Sequence, residues 1–242
     1  MRKDSPYYLP SIKVLQSAAL FQDVDEEMME EIVGYFTPMS LPKKSVIQPW
    51  QTKESFFVII SGRVKVSRVN LDTGREYIIF LLQGGDAFDI ISLLDGKEHE
   101  VVIEAIDELQ LLKTPVPTAR SWLDLHPEFN KNFLPYLGGR MRLLEDSGTD
   151  LALYDTITRL ARLILRYIDH NAVSIEDDAY PLRLINDLSH EVLAQMIGSV
   201  RKVVNLNIQE LKKEGAITSV RGKLSVKNLQ KLRERFEDKV LF

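Results

Sequence analysis

The spacing of hydrophobic residues along the chain changes period twice. From about Leu15 to Phe36, apolar residues recur at helical spacing between acidic ones, which predicts a short helical segment. From Met39 to about Lys113 the period becomes two, and glycines stand at the expected turns. Short alternating strands with no helices between them predict an antiparallel β-barrel or jelly roll.

A long helix is predicted after the β-rich region. Prolines between Pro115 and Pro127 end the alternating pattern, and a helical pattern then runs to about Leu153. Its apolar and small residues repeat at alternating steps of three and four, as in a coiled-coil seam. The seam residues are Leu134, Leu137, Met141, Leu144, Gly148 and Leu151. So narrow a seam favours pairing with a second copy of the chain, and packing of the helix on its own barrel is the alternative.

Two short helices around a glycine are predicted by the segment LSHEVLAQMIGSVRKVVNLNIQELKKEG. Ser189 is a candidate N-cap for the first helix. Ala194 is small enough for a close helix crossing, and Gly198 suits a turn that requires positive φ. The pattern indicates a helix–turn–helix, and Asp155 is the candidate N-cap of the amphipathic helix that precedes it.

The second helix of this motif has one apolar and one polar face. The apolar positions predicted to anchor it are Val200, Val204, Ile208 and Leu211. The polar residues can donate hydrogen bonds to base edges or phosphates, and the next segment, AITSVRGKLSV, predicts a hairpin with a basic tip, as in a winged helix. The candidate DNA contacts are Ser199, Arg201, Lys202, Asn205, Gln209, Arg221 and Lys223.

Charge is distributed unevenly along the chain. The net charge is −4, but the residues from Asp155 onward carry 15 Lys and Arg against 12 Asp and Glu. Between Gly198 and Arg235 the numbers are 10 basic to 3 acidic. An acidic body with a basic C-terminal region is consistent with a nucleic-acid partner for that region alone.

Composition excludes several classes of function. The sequence has no cysteine, which removes disulfides, thiolate nucleophiles and cysteine-ligated iron–sulfur clusters. It contains no phosphate-binding glycine loop, GxSxG or HExxH motif, so we expect no enzyme. His99 and its two glutamate neighbours are consecutive and cannot all point into a barrel, so no metal site is expected. With no signal peptide or bilayer-spanning apolar run, we expect a cytoplasmic protein without a membrane partner.

The order of these parts resembles the cyclic-AMP receptor/Fnr (Crp–Fnr) superfamily of bacterial transcription regulators, from about Leu20 to Leu232. The stretches that carry the resemblance are FFVIISGRVKV, GGDAFDIISLLDG, LALYDTITRLARLIL and LSHEVLAQMIGSVRKVVNLNIQELKKEGAI. It implies an α+β protein with an N-terminal jelly-roll sensor domain (1–126), a long dimerisation helix (127–154) and a C-terminal winged helix–turn–helix domain (155–242).

The resemblance also implies a homodimer that binds a near-palindromic DNA site, with Asp155 at the hinge and RNA polymerase as a partner of an activator; the residues themselves leave activation and repression open. Arg201 matches a DNA-contacting arginine of the family. Where the family usually has a glutamate and a second arginine, this chain has Lys202 and Leu206, and Asn207 replaces a commonly apolar residue. The family's common half-site is therefore not expected here.

The effector is left open by the sequence. The positions that correspond to the cyclic-nucleotide pocket are Phe88, Ile90, His99, Glu100, Met141, Leu144 and Glu145. They offer no cationic fork for a phosphate, and Glu100 would repel it, so no cyclic-AMP response is expected. The turn is also similar to that of 2-oxoglutarate-sensing nitrogen regulators, but without their arginine. Arg140 and Arg142 on the long helix are alternative sources of positive charge, although the favoured interpretation is that they are solvated flanks of the coiled coil.

Haem ligation through His99, His126, His170 or a methionine is one remaining alternative, and an apolar ligand or no ligand is another. The alternative function for the whole chain is a ligand-binding or haem-binding sensor module whose DNA binding is secondary. Salt-dependent binding of duplex DNA separates the two functions.

Overall fold

The computed structural model describes residues 1–22, 24–169, 172 and 179–235. By internal contacts the chain divides into a first unit, Met1–Arg75 with Ile79–Leu143, and a second unit, Glu76–Ile78 with Leu144–Phe242. The division falls inside the long helix, whereas the sequence predicted boundaries before and after it. Among the helices of the described residues, none combines the length and apolarity needed to cross a membrane.

The first unit is built on a β-barrel of two four-stranded sheets, ordered β1-β8-β3-β6 and β2-β7-β4-β5. Adjacent strands pair antiparallel, as predicted. The strands are β1 Thr37–Leu41, β2 Val46–Ile47, β3 Ser55–Ser61, β4 Val64–Val69, β5 Glu76–Leu82, β6 Ala87–Phe88, β7 Val102–Ala105 and β8 Leu109–Pro115.

Among its described residues, six helices begin in the first unit, and the 3₁₀ turn Ala19–Phe21 follows the first of them. They are α1 Tyr8–Ser17, α2 Glu26–Tyr35, α3 Pro49–Glu54, α4 Ile90–Asp95, α5 Val116–Leu125 and α6 Pro127–Leu153. The prediction that no helix interrupts the strands is wrong, because α3 and α4 both do. Short helices of this kind depend on local caps rather than on apolar periodicity: in α3, Gln48 and Gln51 form a capping box, and Pro49 occupies the first turn.

Strand β3 explains why the first sheet is buried on both faces. Phe57 and Ile59 point into the barrel core, while Phe56 and Val58 alternate with them and pack in a second apolar cluster with the helices. The start of α6 joins that second cluster through Phe129, whose ring centroid lies 5.7 Å from that of Phe21. The helix is thereby anchored at its N-terminal end to the first unit.

In the residues that the structure describes, the second unit contains the end of α6, four further helices and a three-stranded sheet ordered β10-β11-β9. Its elements are α7 Thr156–Arg166, α8 His190–Met196, α9 Arg201–Lys213, α10 Leu229–Arg233, β9 Tyr180–Pro181, β10 Ile217–Val220 and β11 Lys223–Val226. Asp155 caps α7, as predicted, because its carboxylate accepts a 2.9 Å hydrogen bond from Thr158 N. Strand β9 has two residues and is too short to give a periodic signal in the sequence.

Candidate DNA-binding surface and sensor site

The turn between α8 and α9 is formed by the residues that the sequence singled out. Ser189 Oγ accepts a hydrogen bond from Val192 N and caps α8. Gly198 has φ +61°, and Ser199 N donates to Ala194 O at 2.9 Å, which closes the turn. Ala194 is fully buried at the helix crossing. The local helix–turn–helix geometry therefore follows directly from one cap, one small residue and one glycine.

Helix α9 buries one face and exposes the other. Val204, Ile208 and Leu211 lie in the core of the second unit, as predicted. Val200 is not an anchor: it is 49% exposed, because as the N-cap residue it has an extended backbone and does not follow the helical face. The opposite face exposes Arg201, Lys202, Leu206 and Gln209.

Two asparagines of α9 differ in role from the sequence-based interpretation. Asn205 was expected to face outward, but it is half-buried, and its Oδ1 accepts a hydrogen bond from the Nδ1–H of His190 on α8. Asn207 faces inward, is 8% exposed, and leaves its Nδ2 without a hydrogen bond. Asn207 therefore changes the packing of the helix and not its outer surface.

The hairpin after α9 is the predicted wing. Strands β10 and β11 pair antiparallel, with Val220 opposite Lys223. Arg221 and Gly222 form the turn with φ +50° and +81°, and both Arg221 and Lys223 are exposed. The wing thus presents two cations at its tip. The tip is a tight turn, because Arg221 and Gly222 both have positive φ.

Of the basic residues counted in the sequence, Arg235 is paired with acidic side chains and Lys231 is hydrogen-bonded to the backbone. Arg235 forms ion pairs with Glu210, at 3.0 Å, and with Glu214. The hydrogen bond from Arg235 to Glu214 raises the pKa of the arginine further above its usual value. Lys231 Nζ donates to the Glu214 carbonyl at 2.6 Å. The cations of α9 and of the wing tip are exposed and have no such acidic partner among the ion pairs of the described residues.

An ion-pair cluster connects the C-terminal part of α6 to α7 within the second unit. Asp150 is buried, at 6% exposure. Its carboxylate accepts hydrogen bonds from Arg162 and, at 2.7 Å, from Arg166. Arg162 also lies over the ring of Tyr154, 4.8 Å from its centroid. Arg159 Nη1 donates to the Ile197 carbonyl at 2.8 Å, at the end of α8. Helix α7 therefore contacts both α6 and the helix–turn–helix through arginines.

In the first unit, Asp89 lies in the turn between β6 and α4, as the N-cap residue of α4. Its side chain is 1% exposed, its φ is +56°, and it accepts hydrogen bonds from His99 Nδ1 at 2.9 Å and Ser92 Oγ at 2.8 Å. Burial raises the pKa of Asp89, but hydrogen bonds from His99, Thr52 and Ser92 outweigh burial, and the net shift is downward. A buried carboxylate thus stands beside His99, and the sequence interpretation missed it.

A second charged cluster joins α6 to the barrel in the same unit. Arg140 forms an ion pair with Asp86 and donates to Tyr136 Oη at 2.8 Å. Its guanidinium lies over the rings of Tyr136, at 4.8 Å, and Phe80, at 5.7 Å. Burial lowers the pKa of Arg140, but its interactions with Tyr136 and Asp86 raise it overall. The charge of Arg140 is therefore already compensated within the chain, whereas Arg142 is exposed.

The other candidate effector residues lie in different environments. Phe88 and Ile90 are buried, at 2% and 8% exposure, while Glu100, Met141, Leu144 and Glu145 are exposed. His126 is half-buried at the end of α5, and His170 lies outside the described residues. Within the part of the chain that the structure describes, no three His, Cys, Asp or Glu side chains are grouped to hold a metal ion.

Most residues of the predicted seam on α6 are exposed. Leu134 and Met141 are each 63% exposed, and Leu144 and Leu151 each 42%. A Cβ added at Gly148 would meet open space. Leu137 behaves differently, because it packs against the helical cluster of its own unit.

Comparisons with known proteins agree with the folds of the barrel and of the helix–turn–helix region. Residues 40–125 match the family model of the cyclic nucleotide-binding domain, and residues 158–235 match that of the Crp-like helix-turn-helix domain. The CRP-like cAMP-activated global transcriptional regulator of Mycobacterium tuberculosis is 26% identical over 206 residues, covering 85% of this chain and 90% of that protein. The global nitrogen regulator of Synechocystis sp. is 27% identical over 221 residues, covering 90% and 95%.

Solved structures give the same fold at lower identity. A CooA mutant from Carboxydothermus hydrogenoformans superposes with a TM-score of 0.73 at 24% identity, covering 88% of this chain and 96% of that one. A CRP/FNR-family regulator from Thermus thermophilus gives 0.64 at 24% identity, covering 84% and 100%. With a cyclic-nucleotide-binding barrel followed by a Crp-like DNA-binding helix–turn–helix, this chain belongs to the Crp–Fnr superfamily of transcription regulators.

Proposed function

We propose that the protein acts as a homodimer whose two α9 helices enter successive major grooves of a near-palindromic DNA site. The observation that carries this proposal is the outer face of α9, where Arg201, Lys202 and Gln209 are exposed while the opposite face is buried. Arginine and lysine donate to the guanine O6 and N7 acceptors of the major groove, and a two-fold protein requires a site with matching symmetry.

The two kinds of basic residue have different proposed roles. Arg201 and Lys202 stand at the start of α9 and contact bases, whereas Arg221 and Lys223 at the wing tip contact phosphates. Asn205 is hydrogen-bonded to His190, and Ser199 is half-buried in the turn. For both residues we therefore propose a role in positioning α9 rather than a direct base contact. Since Lys202 cannot accept a hydrogen bond from cytosine as a glutamate does, the preferred half-site differs from the family's common one.

Dimerisation through α6 is supported by the exposed apolar residues of its seam. Leu134, Met141, Leu144 and Leu151 leave a stripe that water contacts in one chain and that a second copy would cover. The conformational signal then passes through α6 to the segment around Asp155, where the DNA-binding unit is capped. RNA polymerase as a partner, an activating role and a cytoplasmic location complete the proposal and rest on the family.

For the sensor site we propose a signal other than cyclic AMP. Asp89 places a buried negative charge beside His99 in the turn that the resemblance aligns with the phosphate site, and Arg140 is already paired with Asp86. An incoming phosphate would be repelled by the first group and would have to break the second ion pair. The proposed role is that of a regulator and not of an enzyme.

The test is binding of duplex DNA as a function of salt. We expect the logarithm of affinity to fall steeply and linearly with the logarithm of salt concentration, as phosphate contacts release counterions. Arg201→Ala should lose about 10- to 100-fold in affinity for a selected site but little for random duplex, consistent with a base contact. Lys223→Ala should weaken both alike and reduce the salt slope by about one per protomer.

The matched control is Lys43→Ala, which removes an exposed cation of the first unit and should change neither value. Retention of site-specific binding by Arg201→Ala would contradict the assignment of α9. An affinity that does not depend on salt would contradict DNA binding by this surface altogether.

A further inference from the structure

Leu206 is an apolar residue on an otherwise polar surface. It is 57% exposed in the middle of α9, one helical turn after Lys202 and one before Gln209. Val204 and Ile208 on the other face are at most 2% exposed, so the core of the unit is complete without Leu206. Its side chain therefore contributes little to folding and is available to a partner of α9.

The partner proposed for α9 determines what Leu206 can contact. In the major groove each base pair presents hydrogen-bonding groups, and the apolar group among them is the C5-methyl of thymine. A leucine pressed against amino or carbonyl groups would desolvate them without replacing their hydrogen bonds with water, which costs free energy. A leucine against the methyl group instead removes apolar surface of both from water.

The neighbouring Asn205 is not free to recognise the adenine of an A·T pair through two hydrogen bonds. An asparagine recognises adenine by donating to N7 and accepting from N6 at the same time. Because one end of the Asn205 amide is bonded to the His190 ring, it retains a single end for a base. Asn205 is therefore not free to recognise adenine in this bidentate way, whereas the exposed Leu206 beside it can make an apolar contact with thymine.

We propose that Leu206 contacts the C5-methyl group of a thymine in each half-site and so determines base preference at that position. Leu206 follows Lys202 by about 6 Å along the helix axis, given a rise of about 1.5 Å per residue. Since bases are about 3.4 Å apart, the thymine lies within about two base pairs of the base that Lys202 contacts. This inference rests on the proposed DNA-binding role of α9.

The experiment begins with duplexes selected by the wild-type protein from a random pool. Each thymine of the selected half-sites is then replaced by uracil, which removes the methyl group and keeps every hydrogen-bonding group. We expect one thymine in each half-site to matter, and its replacement in a single half-site to weaken wild-type binding about fourfold, the effect of one buried methyl group. Leu206→Ala should bind the thymine and uracil duplexes equally.

Two further variants test whether the thymine preference depends on an apolar side chain at position 206. Leu206→Met retains an apolar side chain and should retain the thymine preference. Leu71→Ala removes a leucine that is 93% exposed in the first unit and should leave the preference unchanged. Unchanged thermal unfolding of Leu206→Ala would show that the altered preference does not arise from misfolding.

The outcomes separate this inference from the proposed function. If the wild-type protein selects no sequence from the pool, DNA recognition by α9 is itself wrong. If it selects a site in which no thymine-to-uracil replacement matters, or if Leu206→Ala still distinguishes thymine from uracil, the methyl contact is wrong and the proposed function stands.

Discussion

At the scale of single residues, the backbone conformation determines which residue type fits at several positions. Gly198 has φ +61°, and a Cβ there would lie 2.7 Å from Leu151 Cδ2, so glycine suits the position for two reasons. Asp89 also has positive φ, which aspartate and asparagine tolerate better than most residues. Both positions occur beside surfaces proposed to be functional, yet only the glycine was recognised from the sequence, because glycine is the stronger signal for positive φ.

Asp89 gives a pH-dependent prediction. Because its pKa is lowered in the folded state, it stabilises the barrel above its ordinary pKa of 3.8, and this contribution is lost as pH falls through the lower, folded value. Asp89→Asn keeps a residue that tolerates positive φ but removes the charge. We expect the unfolding free energy to fall by about 2 kcal/mol at neutral pH, and the difference from wild type to shrink below pH 3.8.

The measurement is urea unfolding followed by tryptophan fluorescence, since both tryptophans, Trp50 and Trp122, lie in the first unit. Asp72→Asn changes an exposed aspartate of the same barrel and is the control. A difference between Asp89→Asn and wild type that stays constant from pH 7 to pH 3 would contradict the role given to the Asp89 carboxylate.

At the scale of elements, the C-terminal part of α6 is attached to α7 by charge rather than by apolar packing. Asp150 is almost buried and shared by two arginines whose side chains are 20% and 23% exposed. An apolar pattern cannot predict such a contact, because the residues involved are twelve and sixteen positions apart on two different helices. The tertiary structure alone pairs them.

This ion-pair cluster leads to a prediction about stability. Asp150→Ala leaves two partly buried arginines without their common acceptor, so the unfolding free energy of the second unit should fall by about 2–3 kcal/mol. Far-UV circular dichroism in urea should show the loss as an earlier helical transition. Glu30→Ala removes an exposed partner of Lys3 and should leave the transition unchanged; an unaltered transition in Asp150→Ala would contradict the prediction.

Helix α9 illustrates how far a pattern alone determines an element. Its buried face, its exposed Arg201 and Lys202 and the glycine before it follow from spacing. The contact between Asn205 and His190 does not, since it joins two helices whose relative orientation is set by packing around Ala194. Consequently the outward set was predicted correctly for Arg201, Lys202 and Gln209 and only in part for Asn205.

At the scale of the whole molecule, the proposed homodimer depends on the exposed seam of α6. Met141→Glu places a charge in the middle of that seam, where it would be buried without a partner in a dimer. We expect sedimentation to show a dimer for the wild type and a monomer for the variant. The variant should also lose most of its affinity for a full palindromic site, because two half-sites are no longer bound together.

The control for this prediction is the next residue, Arg142, which is also exposed. Arg142→Glu changes charge by two units at nearly the same place but off the seam, and the dimer should persist. A wild-type protein that sediments as a monomer, or a Met141→Glu variant that remains a dimer, would contradict pairing through α6.

The sequence by itself determined the classes of the main elements and their order, but not the short helices α3 and α4 or the short strand β9. Period-two alternation, turn glycines, the caps Asp155 and Ser189 and the two-faced pattern of α9 are local properties, so they can be derived without knowledge of distant contacts. The same applies to the exclusion of cysteine chemistry and to the concentration of positive charge after Gly198.

Only the tertiary structure decided which side chains meet. The pairs of Asp89 with His99, Arg140 with Asp86 and Asp150 with Arg162 each join residues ten or more positions apart, and no local pattern encodes them. They are electrostatic contacts whose strength depends on burial, and burial is a property of the assembled fold rather than of any segment. The exposure of Val200 and the inward position of Asn207 are different in kind, because the first follows from the N-cap backbone and the second from the helical spacing of Asn207 to Val204 and Leu211.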